Sequence, residues 1–265
     1  MTATTTPPSA ELVAVAERLA RAAGDRLRER FRDVSGLAVQ TKSSPTDVAS
    51  EADLEAEATI RALLGELRPS DGLLAEEGGG DARAEPGRLR WIVDPLDGTT
   101  NFLFGVPVWC VSVACEDASG PLAAVVYDPL RGELFAATHD GPALLGGAPV
   151  APAPVRPLSE ALVGTGFDYD AGIRGRQAER LVALMPRVRD IRRLGSAALD
   201  LAWLAAGRYD AYVERGIAPW DIAAGSLLVR RAGLEVRDLP AGDGLPAGIA
   251  AGRTELLDEL AALRL

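Results

Sequence analysis

In the run Trp91-Ile92-Val93-Asp94-Pro95-Leu96-Asp97-Gly98-Thr99-Thr100-Asn101-Phe102, three apolar residues end at a pair of carboxylates. Pro95 stiffens the backbone between Asp94 and Asp97. Gly98 frees the chain to turn, and Thr99, Thr100 and Asn101 are good openers for a helix. A turn of this kind aims two carboxylates, a main-chain carbonyl and a hydroxyl into one small volume. Hard oxygen donors in that set suit Mg²⁺, and the amides of an opening helix suit a phosphate. One loop is therefore able to hold both metals and the group they act on. Taken singly, Asp-Pro and Asp-Gly are also ordinary turn dipeptides.

Further acids stand at the ends of elements. Glu76 follows the strand-like Leu73-Leu74-Ala75 and precedes Gly78-Gly79-Gly80, a flexible segment by composition. Asp221 follows Pro219-Trp220 at a helix start, and Glu214 ends a strand just before Arg215-Gly216. By themselves these residues read equally well as a solvated turn acid, a helix N-terminal charge and a surface acid paired with Arg215. The single histidine, His139, excludes a His-rich zinc site and reads as a surface residue near a turn. Gly164-Thr165-Gly166 completes only two-thirds of a dinucleotide fingerprint, because position 169 is Tyr.

Composition bounds the partners. The chain has 265 residues, 48% hydrophobic and 25% charged, enough to bury a sizeable core. A net charge of −10 argues against nucleic acid or an anionic membrane as a partner. It also means that phosphate binding requires a local inversion of charge, which divalent ions held by carboxylates supply. Cys110 and Cys115 fit neither a redox nor a zinc spacing and are expected to be buried thiols in a reducing, cytoplasmic setting. The first nine residues lack the basic and apolar regions of a signal peptide and are expected to form a short disordered tail. No apolar run approaches the ~18 residues needed to span a membrane.

The elements that must position these residues follow from periodicity. Ser9 is placed to cap a helix with apolar positions from Leu12 to Phe31, and Ser50 with Asp53 forms a capping box for a second helix running to Leu67. Strands are expected at 89–93, 106–116, 122–128 and 133–138, as an antiparallel meander. The Pro-rich stretch 151–157 is the best candidate boundary, dividing a metal-binding half (10–150) from an α/β half (158–265) within one continuous catalytic unit. In that second half strands near 162–163, 191–194, 209–213 and 234–236 alternate with helices at 176–184, 196–206 and 219–232, with a last helix after Thr254.

The twelve-residue run resembles the metal-binding signature of the inositol monophosphatase family of Mg²⁺-dependent, lithium-sensitive phosphatases. Ala75-Glu76-Glu77, Trp220-Asp221-Ile222-Ala223-Ala224-Gly225, the segment from Lys42 through Asp47 to Asp53, and Arg193 to Ala198 with Asp210 to Glu214 resemble further family segments in the same order. Ser50 and Ala218 depart from the usual residues. The resemblance implies an α+β fold, a layered αβαβα sandwich of the inositol monophosphatase and fructose-1,6-bisphosphatase type, and a homodimer. It implies two or three Mg²⁺ ions held by Glu76, Asp94, the Leu96 carbonyl, Asp97 and Asp221. Thr99 with Glu76 would orient the attacking water, and the amides of Gly98 and Thr99 would hold the phosphate. Gly195, Ser196, Ala197, Glu214 and Asp221 would face the substrate, with Lys42, Asp47 and Asp53 as support. The implied reaction is hydrolysis of a polyol phosphate monoester, inositol 1-phosphate first. Rival readings are histidinol phosphate, a sugar bisphosphate or a nucleotide 3′-phosphate as substrate, or a non-enzymatic binding protein of the same fold.

Overall fold

A computed structural model describes residues 8–34, 37–42, 48–80 and 85–263. Asp47 lies outside the described residues. The chain opens with α1 (Ser9–Arg30), the hairpin β1 (Val39–Thr41) and β2 (Val48–Ser50), α2 (Glu51–Leu67), β3 (Gly72–Ala75) and β4 (Gly79–Gly80). Next come β5 (Arg90–Asp97), α3 (Thr99–Leu103), β6 (Cys110–Asp117), β7 (Gly120–Asp128), β8 (Glu133–Thr138), β9 (Leu144–Leu145) and β10 (Ala148–Pro149). The remainder is β11 (Leu162–Thr165), α4 (Ala171–Leu184), β12 (Asp190–Arg192), α5 (Ala197–Ala205), β13 (Ala211–Arg215), α6 (Pro219–Arg231), β14 (Glu235–Leu239), β15 (Gly248–Gly252) and α7 (Thr254–Ala262).

Among the described residues, two large sheets alternate with three helical layers, and β1-β2 pair apart from both. The first sheet runs β10-β9-β8-β7-β6-β5-β3-β4 and the second β12-β11-β13-β15-β14. Helices α1 and α2 cover the outer face of the first sheet, burying Leu12, Leu19, Leu27 and Ile60 against Trp91, Val93, Val113 and Val125. The opposite face offers Ile92, Ala114, Ala124, Val126 and Phe135 to Leu199, Leu201 and Leu204 of α5 and Leu227 and Leu228 of α6. The same two helices also touch Tyr212, Ile249 and Ala251 of the second sheet, so one core joins both sheets. On the far side, Leu184 of α4 and Leu256, Leu257 and Leu260 of α7 close over Val163, Ala211 and Val213. Burial on both faces explains why β5 and β6 are continuous apolar runs rather than alternating ones. The arrangement is the expected α+β sandwich, αβαβα.

Several local expectations are revised. Ser9 is the first residue of α1 rather than its cap. That position belongs to Pro8, and the Ser9 hydroxyl pairs instead with Nδ1 of His139 at 2.9 Å. The triglycine is structured: Gly79 and Gly80 pair antiparallel with Ala75 and Leu74. Strand β6 begins at Cys110, four residues later than its apolar run suggested. Strand β15 was not anticipated, because Gly248-Ile249-Ala250-Ala251-Gly252 is rich in residues of low strand propensity. It forms because β13 and β14 pair on either side of it and leave little room for side chains. A Cβ on Gly248 would lie 2.1 Å from the Glu214 carbonyl.

Candidate metal and phosphate site

Strand β5 continues past Val93 to Asp97, so the two acids sit in a strand end rather than in a free turn. In a regular strand, residues three apart face opposite ways. Here Asp94 pairs with Ser112 but Asp97 pairs with Cys110, so three steps on β5 match two on β6. This bulge, which contains Pro95, turns Asp97 onto the same face as Asp94. Leu96 N–H donates to Asp94 Oδ1 at 2.9 Å and fixes that carboxylate within the bulge. The third acid comes from the first turn of α6, tied to the sheet by the Ser112 hydroxyl donating to the Trp220 carbonyl at 3.3 Å. Asp94, Asp97 and Asp221 each bring a carboxylate oxygen within 4.8 Å of the other two.

Glu76 enters beside them from the end of β3, which runs parallel to β5 with Ala75 level with Val93. Its turn is anchored from behind by Glu57 of α2, which accepts the amides of Glu77 at 2.8 Å and Gly78 at 2.9 Å. A Cβ at Gly78 would crowd the Arg61 guanidinium at 2.4 Å and a Glu57 oxygen at 2.6 Å, so a side chain there would have to displace this ion pair. Lys42, just after β1, donates to Glu76 at 2.7 Å and Glu77 at 2.6 Å. Burial works against the Lys42 charge, but the two glutamates outweigh it and hold its pKa above the ordinary lysine value. Burial, and then the neighbouring charge of Glu76, raises the Glu77 carboxyl to about 7 despite the lysine.

The electrostatics of the corner are those of a cation site. Burial raises Asp94 well above the usual carboxylate range, and the charges of Glu76, Asp97 and Asp221 add to it. Asp221 is raised by burial and then by Asp97, against a hydrogen bond from the Ala218 amide at 2.8 Å. Asp97 reaches only about 6, because its burial is offset by the Ser196 hydroxyl at 2.7 Å and by the amides of Ala198 at 2.7 Å and Ala197 at 3.2 Å. Like charges packed at this distance oppose folding unless a cation joins them. The donors are hard carboxylate oxygens, with the Leu96 carbonyl close by, which fits a hard divalent ion.

Next to the acids, Gly98 adopts φ 105°, outside the range of ordinary L residues, and leads into α3. Among the described residues no acceptor takes the amides of Gly98 or Thr99. The Thr99 hydroxyl sits 2.7 Å from Asp53 Oδ1 and 3.2 Å from the Leu96 carbonyl. Asp53 is therefore the acid that orients the Thr99 hydroxyl. With its proton given to Asp53, the Thr99 oxygen keeps lone pairs for a water. Asp53 is held in turn by the capping box foreseen at Ser50, accepting the Ser50 amide at 2.8 Å and its hydroxyl. Asn101 ties α3 to the approach of β6 and to the approach of α5, donating to the Val108 and Leu194 carbonyls at 2.8 and 2.7 Å.

The acids form the floor of a cleft of about 260 Å³ whose lining includes Lys42, Glu76, Thr99, Glu214 and Asp221. Gly195, Ser196 and Ala197 also line it, yet the Ser196 hydroxyl and the Ala197 amide are already engaged by Asp97. Asp97 thus caps α5 from another element. Glu214 is at the far wall, accepting a short hydrogen bond from Tyr212. Arg215 turns elsewhere, to the carbonyls of Pro240 and Pro246. Burial raises the Glu214 carboxyl to about 7. Phe167, Asp168, Tyr169 and Arg193 complete that wall and were not among the anticipated site residues. Phe167 to Tyr169 sit in an irregular loop after β11 without a motif of their own. Glu57 was signalled only by its helical spacing from Arg61, which it binds at 2.7 Å.

Fold and site together define a layered α+β protein with an acidic, metal-type cluster at the ends of its strands and helices. The sequence profile of the inositol monophosphatase family matches residues 9–264, and the chain belongs to that family. It is 42% identical to inositol-1-monophosphatase SuhB of Mycobacterium tuberculosis, over 96% of this chain and 93% of that protein. It is 40% identical to the Nus factor SuhB of Pseudomonas aeruginosa, covering 84% of each chain. Among solved structures, the extragenic suppressor protein SuhB of Bartonella henselae superposes with a TM-score of 0.87 at 36% identity, over 96% of this chain and 98% of that one.

Proposed function

We propose that this chain is a Mg²⁺-dependent phosphomonoesterase acting on a polyol phosphate, with inositol 1-phosphate as the first substrate to test. The observation that carries the reading is the convergence of Asp94, Asp97 and Asp221 beside Glu76, next to a hydroxyl already oriented by a second carboxylate. In this reading Glu76, Asp94, the Leu96 carbonyl, Asp97 and Asp221 hold two or three ions. Bound divalent ions supply neutralisation of the phosphate charge and acidification of water. Thr99, its proton directed to Asp53, accepts a hydrogen bond from the attacking water and aims it. The amides of Gly98 and Thr99 hold phosphate oxygens. Glu214 accepts hydrogen bonds from hydroxyls of the leaving alcohol. No side-chain nucleophile is required.

Lithium inhibition, a homodimeric state and a reducing cytoplasmic location belong to the same reading and rest on family membership and on two buried free thiols. No helix among the described residues is long and apolar enough to cross a membrane. The test is phosphate release with Mg²⁺ from inositol 1-phosphate, histidinol phosphate, fructose 1,6-bisphosphate and phosphoadenosine phosphate. The highest kcat/KM is expected for the inositol ester. Preference for phosphoadenosine phosphate, or no hydrolysis of any of them, overturns the proposal.

A further inference from the structure

Among the described residues the far wall of the cleft holds one cation and two acids. Arg193 lines it together with Asp168 and Glu214. Lys42, the other cation of the cleft, is consumed by Glu76 and Glu77. Arg193 has no comparable hydrogen bond or ion pair among the described residues. Its guanidinium lies against Gly195, where a Cβ would meet Nη1 at 2.5 Å, and Gly195 has φ 84°. A side chain at 195 would push the guanidinium off the cleft wall. The two acids also stand against glycines. A Cβ on Gly166 would lie 1.9 Å from Glu214 Oε1, and one on Gly216 would lie 2.3 Å from Asp168 Oδ2.

A hydroxyl both donates and accepts. A wall of carboxylates alone satisfies its proton and leaves its oxygen without a donor. A guanidinium with a planar fork of N–H groups beside two carboxylates satisfies both halves of a vicinal diol. A second phosphate on the substrate is a poorer match. It carries only acceptors, and it would bring its charge against Glu214 and Asp168 as well as toward Arg193.

Resting on the polyol-phosphatase reading above, we infer that Arg193 is a specificity-determining residue that donates to vicinal hydroxyls of the leaving polyol while Glu214 and Asp168 accept from them. Arg193 thereby selects a polyhydroxylated monoester over an alcohol without neighbouring hydroxyls.

Three proteins test this with Mg²⁺ present: the wild type, Arg193→Gln and Arg193→Lys. The readouts are kcat and KM for inositol 1-phosphate, phenyl phosphate and fructose 1,6-bisphosphate. The expected result for Arg193→Gln is a rise of roughly tenfold or more in KM for inositol 1-phosphate, the scale of a lost hydrogen bond to a charged group. kcat should fall less than KM rises, and the preference for inositol 1-phosphate over phenyl phosphate should drop by about the same factor. Arg193→Lys keeps the charge without the fork and should recover only part of the preference. An unchanged preference in Arg193→Gln overturns the inference while leaving the polyol reading in place. A selective loss of bisphosphate hydrolysis also overturns it, assigning Arg193 to a second anion. Failure of the wild type to hydrolyse inositol 1-phosphate overturns both.

Discussion

Thr99 and Asp53 come from different elements, 46 positions apart, and meet through one buried hydrogen bond of 2.7 Å. Burial raises the Asp53 carboxyl, while bonds from Ser50 and Thr99 favour its charged form. The pair thus keeps an acceptor next to the acidic corner. Thr99→Ala is expected to lower kcat by roughly 10²-fold, the scale of a lost acid–base partner, with little change in KM. A variant that keeps kcat and loses affinity would make Thr99 a substrate contact instead. Glu214 gives a prediction in pH. Its carboxyl is raised from 4.5 to about 7, chiefly by burial. Its ionisation therefore costs the fold nothing below the unfolded value. The cost grows as pH rises between the two values and is complete above the folded one. Glu214→Gln removes that cost, so its Tm should match the wild type at about pH 4 and exceed it at about pH 8. A difference that does not vary with pH would refute the buried-acid account.

At the scale of elements, the site is an intersection of ends: the bulged end of β5, the end of β3 and the first turns of α3, α5 and α6. The aromatic trio of Phe31, Phe102 and Trp109, with ring centroids 5.1–5.4 Å apart, fixes the short α3 against α1. Gly98 makes the turn from β5 into that helix at φ 105°. An added Cβ would stand 3.0 Å from the Val108 carbonyl and 3.1 Å from the Trp109 Cβ. Gly98→Ala is therefore expected to destabilise the protein by about 1 kcal/mol or more, from left-handed strain and this crowding together. Urea denaturation measures it, and an unchanged midpoint would show that the turn adapts. Helix α5 illustrates the reverse dependence, since the acid capping its amides, Asp97, is also a candidate metal ligand.

The whole molecule carries a net charge of −10 and gathers several acids in one cleft. A divalent ion binding there relieves repulsion that folding created, so metal affinity and stability are linked. A ligand at a hundred times its Kd stabilises the native state by about 2.7 kcal/mol. Millimolar-range Mg²⁺ is expected to raise the Tm of the metal-stripped wild type, and Asp94→Asn is expected to abolish most of that rise. Asp94→Asn should also lose phosphatase turnover, since it keeps the size of the side chain and removes the charge. An equal Mg²⁺ shift in both proteins would remove Asp94 from the metal site. The shared core matters here: α5, capped by Asp97, and α6, which carries Asp221, pack against both sheets.

The sequence by itself determined the chemistry available. The DPLDGT run, the Glu76-Glu77 pair, the Trp220-Asp221 helix start and the Ser50–Asp53 capping box are local patterns, and local patterns depend on side-chain type and spacing alone. The meander β5–β8 and helices α1, α2 and α6 were legible for the same reason: their apolar periodicity is long. What only the tertiary structure decided is which groups meet. The β-bulge that aligns Asp94 with Asp97 depends on the register of β5 against β6. The pairing of Thr99 with Asp53, the capping of α5 by Asp97 and the clasp of Glu57 on the Glu77 turn join segments 20 to 101 positions apart. Asp168 likewise had no pattern to mark it, and Arg193 was marked only as the first residue of a family-like segment. Contacts of that kind are set by how the layers stack, because close packing allows few simultaneous placements of side chains.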